Sequence, residues 1–174
     1  MIYRFRIILD VKEDVLRDIE IEDTATFEDL HHAITQAFGF LGNEMASFYL
    51  SDKEWVQGEE LPLETMEASQ ENYRDQKLNS IISTRQHHLI YVYDFLNLWT
   101  FFVELMEVGE NITGITYPNL IHAQGEVPEE APEKMFESDE VTFEEEDNFD
   151  FEEDDDFNFE EGDDEEEYND SDFY

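Results

Sequence analysis

The chain has 174 residues, with 48 acidic and 9 basic side chains and a formal net charge of −39. That balance excludes nucleic acid and anionic membranes as default ligands, because both are bound by basic surfaces, and the lack of cysteine excludes disulfides, zinc ribbons, iron–sulfur clusters and thiol catalysis. No apolar run approaches the ~18 residues of a membrane span, and the opening MIYRFRIILD lacks the order of a signal peptide, so a soluble cytoplasmic protein is expected.

Tyr3, Phe5, Ile7 and Leu9 alternate with Arg4, Arg6 and Ile8, a period of two that predicts a strand. Val15, Arg17, Ile19 and Ile21 alternate with Leu16, Asp18 and Glu20 and predict a second, joined to the first by the polar loop DVKED. Thr26 is suited to cap a helix whose first turn carries Glu28 and Asp29. Phe27, Leu30, Ile34, Ala37 and Phe38 form its apolar stripe, and Gly39 is the residue that ends it. MASFYL (45–50) reads as another strand, 51–75 as polar chain anchored by Trp55 and Pro62, and Leu78, Ile81 and Ile82 as a short helix or turn. LIYVYDF (89–95) and LWTFFVELM (98–106) are the strongest strand signals. They predict an antiparallel hairpin through Leu96-Asn97, with Tyr91, Tyr93 and Phe95 on one face. Residues 108–125 read as loop. The expected fold is α+β: a mixed or antiparallel sheet with a strand–hairpin–strand–helix start, of which a β-grasp is one form.

Composition then changes. Residues 1–125 carry 22 acidic and 8 basic side chains, residues 126–174 carry 26 and 1, and Pro128 and Pro132 mark the transition. Runs such as Asp154-Asp155-Asp156 repel themselves and offer little apolar area against an ordering entropy of roughly 1–2 kcal/mol per residue. The chain is therefore divided into a folded domain, 1–133, and a disordered acidic tail, 134–174. Aromatic rings are dispersed through that tail. NFDFEE (148–153) and DFNFEE (156–161) form a degenerate repeat carrying Phe149, Phe151, Phe157 and Phe159. Charge keeps such rings apart and hydrated, ready for a partner's apolar pockets while the carboxylates meet its basic rim.

The segments FRIILD, DIEI, TFEDLHHAITQAFGF (26–40), YVYDFLNLWTFFVEL (91–105) and YPNLIHAQGEVPEE (117–130) together resemble the Ri-plasmid ORF-three-like family. The match spans most of residues 1–132 and leaves the acidic tail outside. It implies an α+β fold with no established activity. The family usually carries Gly-Asp after the Tyr-Asp-Phe segment, where this chain has Leu96-Asn97. It often has His soon after the Trp, where this chain has Phe101 and Phe102. It typically has Cys and paired Gly after Tyr-Pro, which this chain lacks.

Candidate chemistry centres on histidine and Asp94. His31 borders the helix stripe, matches a family position and is a candidate to meet Asp94 or His122 as a metal ligand or general base. Adjacent His31 and His32 cannot share a helical face. His87-His88 precedes a strand and reads as solvated. Asp94 either accepts N–H groups of the hairpin turn or lines a pocket with His31 and Trp99. No phosphate loop or EF-hand spacing is present, and no cofactor or metal is expected. The leading expectation is a binding or adaptor module whose acidic–aromatic tail engages a basic protein through Phe149, Phe151, Phe157 and Phe159. The alternatives are a nucleic-acid mimic that regulates a DNA- or RNA-binding protein, and an enzyme with a pocket near His31, Asp94 and Trp99.

Overall fold

In the computed structural model, residues 1–133 are described. Their frame is one seven-stranded sheet. β1 (Ile2–Leu9) and β2 (Leu16–Glu22) are followed by helix α1 (Phe27–Phe38). Next come β3 (Ala46–Ser51), β4 (Glu60–Pro62), a single 3₁₀ turn (Leu78–Ser80), β5 (His88–Tyr93), β6 (Trp99–Gly109) and β7 (Asn119–Gln124). The spatial order is β4-β3-β5-β6-β1-β2-β7, and every neighbouring pair is antiparallel. The described part is thus mainly β, not α+β, and it has no parallel pair of the β-grasp kind. A 12-residue helix is all the α-helix among the described residues.

Alternation along the strands divides the sheet into two faces. Phe5, Ile7 and Leu9 of β1, Ile19 and Ile21 of β2, Phe48 of β3, Leu89 and Tyr91 of β5, and Phe101 and Val103 of β6 are all buried. They join Phe27, Leu30, Ile34 and Phe38 of α1 in one core. Full burial of side chains of this size is worth about 1.5–3 kcal/mol each, so this face holds the fold together. Thr26 caps α1 with a reciprocal capping box through Asp29, and Gly39 ends it at φ 81°. The helix links β2, near one end of the sheet, to β3, near the other.

The opposite face carries a cross-strand polar row: Ser51, His88, Glu104, Arg6, Asp18 and His122 occupy successive register positions from β3 to β7. Arg6 reaches both oxygens of Asp18 at 2.9 Å. Arg4 reaches Glu20 at 2.8 Å and Glu107 at 2.9 Å. Trp55, at φ 59° in the β3–β4 loop, lies over this face with its ring 5.0 Å from that of Phe102.

Two readings of the chain need correction here. Residues 119–124, expected to be loop, form β7. It pairs with β2 around a register shift between Asp18 and Ile19, and five of its six residues are exposed. An edge strand held by main-chain bonds leaves little apolar alternation to read. Phe95, expected on the face of Tyr91 and Tyr93, lies in the turn after β5 and is exposed.

Candidate functional site

His31 is buried where α1 crosses β5. Its Nδ1 meets the Tyr91 hydroxyl at 2.5 Å, and its Nε2 faces the Gly42 carbonyl at 3.4 Å. Burial, with help from neighbouring His32, pushes the His31 imidazole below its ordinary value. Burial pushes the Tyr91 phenol well up, so both groups are held neutral. A carbonyl only accepts, which places the imidazole proton on Nε2 and makes Nδ1 the acceptor of the Tyr91 hydroxyl. The Gly42 N–H donates to the Tyr93 hydroxyl at 3.1 Å. One loop residue is therefore tied to both sides of the α1–β5 junction.

Asp94 and Trp99 are engaged elsewhere. Asp94, at φ 61°, accepts from the Leu96 N–H at 3.1 Å and from the Asn97 side-chain amide at 2.6 Å. Its own N–H donates to the Met45 carbonyl. Trp99 packs on Phe40 with ring centroids 5.0 Å apart, and Phe40 on Tyr93 at 5.3 Å. Among the described residues no hydrogen bond, ion pair or ring contact joins any two of His31, Asp94 and Trp99. His122 stands opposite Asp18 in the polar row, on the other face of the sheet from His31, so these two histidines do not converge. His32 is exposed and pairs with Glu28 one turn earlier at 3.6 Å.

The histidine pair at the start of β5 departs from the expectation of solvation. His88 is buried, with Nε2 3.4 Å from Glu104 Oε1 and the Trp55 ring standing nearly perpendicular to its own. The His87 ring lies 4.1 Å from the His88 ring, and its Nδ1 is buried without a hydrogen-bond partner among the described residues. His87, His88 and Glu104 each present one donor atom, and these atoms all lie within 4.8 Å of one another. Among the described residues they are the group of donors placed closely enough that they could hold a metal ion. The doublet HH gave no hint of this, because Glu104 joins it only through the register of β5 on β6.

A third feature lies at the β4 edge. An open groove of about 460 Å³ runs between β4 and the 64–73 segment, with Met45, Pro62, Met66 and Tyr73 among its walls and Glu60, Glu64, Glu67 and Glu71 around it. Glu64 is paired with Arg74 at 2.7 Å, and Glu60 accepts from Ser47 at 2.9 Å. No Lys or Arg is part of the lining. Phe149, Phe151, Phe157 and Phe159 lie outside the described residues.

The family model described as "Plasmid pRiA4b ORF-3-like protein" matches residues 1–155. This chain belongs to that family. The match continues into the acidic segment, which the resemblance read from the sequence had left out. Among solved structures, the chain is similar to a protein of unknown function, MM3350 from Methanosarcina mazei Go1. That similarity has a TM-score of 0.64 and 21% identity over 74% of this chain and 72% of the other, and it shows a shared fold. No curated protein matches the chain. As a member of the pRiA4b ORF-3-like family it carries the fold of a group without assigned chemistry. Among the described residues no helix is long and apolar enough to cross a membrane.

Proposed function

We propose that this pRiA4b ORF-3-like chain is a binding or adaptor module for a basic protein partner. The carrying observation is the groove at the β4 edge: four glutamates, no basic lining residue, and Met66 and Tyr73 as apolar contacts. Such a surface attracts cationic segments over long range and holds them by local apolar burial. The acidic–aromatic segment 134–174 is proposed to act with it, adding charge and the Phe149/Phe151 and Phe157/Phe159 pairs. This assignment includes the division of the chain at 133.

The test is binding of a fluorescent Lys/Leu-alternating peptide to the full-length chain, with an oligolysine of equal charge as reference. The Lys/Leu peptide is expected to bind more tightly and to retain part of its affinity at high salt. Glu67→Gln with Glu71→Gln tests the groove, and replacement of the four Phe by Ser tests the tail. Each is expected to weaken the Lys/Leu peptide several-fold. Equal binding of the two peptides, or indifference to both sets of substitutions, sinks the reading. Displacement of a captured partner by duplex DNA or RNA would instead favour the nucleic-acid mimic.

A further inference from the structure

We propose that His87, His88 and Glu104 form a Zn²⁺ site on the sheet face away from α1. The first argument is register. His88 opens β5 directly opposite Glu104 of β6, and directly opposed residues present their side chains to the same face. Their 3.4 Å separation is long for a good N–H···O bond, which lies at about 2.7–3.2 Å. It matches the edge of a tetrahedron built on metal–ligand bonds of about 2.0–2.1 Å, which is roughly 3.3 Å.

The second argument is the orphan nitrogen. His87 Nδ1 is buried and has no hydrogen-bond partner among the described residues, although buried polar groups are nearly always satisfied. Its ring stands beside that of His88, and one of its two ring nitrogens falls within the same 4.8 Å cluster. In the proposed site that nitrogen is Nδ1, and a bound cation gives it the partner it lacks.

The surroundings fit. Trp55 closes one side, its ring 4.9 Å from the His88 ring and 5.0 Å from that of Phe102, which orients the imidazole and keeps one wall apolar. The neighbouring cation, Arg6, stands opposite Glu104 and acts on it electrostatically, but its hydrogen bonds go to both oxygens of Asp18, so the Glu104 carboxylate is not committed to it. Two imidazoles and one carboxylate suit Zn²⁺, whereas Ca²⁺ and Mg²⁺ prefer oxygen donors. That distinction separates this site from the many carboxylates elsewhere in the chain. Three protein ligands leave a fourth position for water.

The experiment uses the full-length chain in excess Mg²⁺, which occupies loose carboxylate sites. Co²⁺ is titrated as the spectroscopic probe and displaced by Zn²⁺. One equivalent of Co²⁺ is expected to give the visible spectrum of a tetrahedral ion. His87→Ala, His88→Ala and Glu104→Gln should each weaken Zn²⁺ by about 100-fold or more, while His32→Ala, on exposed α1 surface, leaves it unchanged. Zn²⁺ should also raise the melting temperature of the parent chain but not of His87→Ala. His87 is only partly buried, so that variant remains informative if His88→Ala does not fold. Absence of a tetrahedral spectrum, or its survival in a folded His87→Ala chain, overturns the site.

Discussion

The guanidinium of Arg17 on β2 donates to the Ala37 carbonyl in the last turn of α1 at 3.1 Å. The same group donates to the carbonyls of Leu16, Gln124 and Gly125 and lies over the Phe38 ring, 5.0 Å from its centroid. One buried cation thus joins β2, the carbonyl end of α1 and the end of β7. Desolvation lowers its ordinary value. It is held by four carbonyl oxygens and by the negative end of the helix dipole, with no carboxylate partner among the described residues.

Arg17→Met should therefore cost about 2–4 kcal/mol, since it leaves several carbonyls unmet. Arg17→Lys should recover little, because an ammonium cannot reproduce the planar fork. Urea unfolding of the two variants measures this. A Lys variant as stable as the parent would mean that charge alone, and not the fork, matters.

Gly125 closes the same junction. Its φ is 78°, and a Cβ there would lie 2.2 Å from the Asp14 carbonyl oxygen and 3.0 Å from the Val15 Cα, both main-chain atoms that cannot swing aside. Gly125→Ala is expected to lose about 3 kcal/mol or more. Gly114→Ala shares a positive φ of 93° but meets nothing within 4 Å, so it should lose only about 1–2 kcal/mol. Equal losses in the two would show that β7 yields to the clash.

Sequence pattern carried the strands with two-sided alternation and the helix with both caps, because burial of one face writes its period into the chain. β7 was not legible: its side chains are mostly exposed and its stability comes from main-chain pairing and Arg17. β4 is three residues long, too short for any period. The α+β expectation erred for this reason, since unread edge strands left the single helix with too much weight. At the level of sites, the Tyr91 partner of His31 and the Glu104 partner of His88 lie 60 and 16 positions away along the chain. The packing of α1 on β5 brings the first pair together, and the register of β5 on β6 the second.

Asp94 gives a prediction in which two effects oppose each other. Asp94→Ala removes the bonds to the Leu96 and Asn97 N–H groups and to the Asn97 amide while keeping a side chain at φ 61°. Asp94→Gly removes the same bonds but relieves the backbone. Loss of the bonds should cost about 1–3 kcal/mol, and glycine should restore roughly 1 kcal/mol of it. The order of thermal stability is therefore parent, Gly, Ala. If Ala proves at least as stable as Gly, the turn does not hold Asp94 in the left-handed region under load.

The neutral His31–Tyr91 pair makes stability depend on pH with a definite sign. Burial lowers the His31 value in the folded chain, whereas an unfolded imidazole titrates near 6.5. As pH falls through about 6.5 the unfolded chain takes up a proton that the folded chain refuses, so stability drops. The drop continues until the folded value is reached and then levels, because both states are protonated. Above about pH 7 the contribution is fully present. His31→Gln keeps a polar side chain but cannot titrate, so its stability should fall less between pH 7 and pH 5. The readout is the difference between the two chains, since they share every other ionisable group. Urea midpoints at pH 5, 6 and 7 supply it. Parallel pH profiles would mean that His31 accepts a proton as readily in the folded chain as in the unfolded one, and the neutral pair at the α1–β5 junction would have to be abandoned.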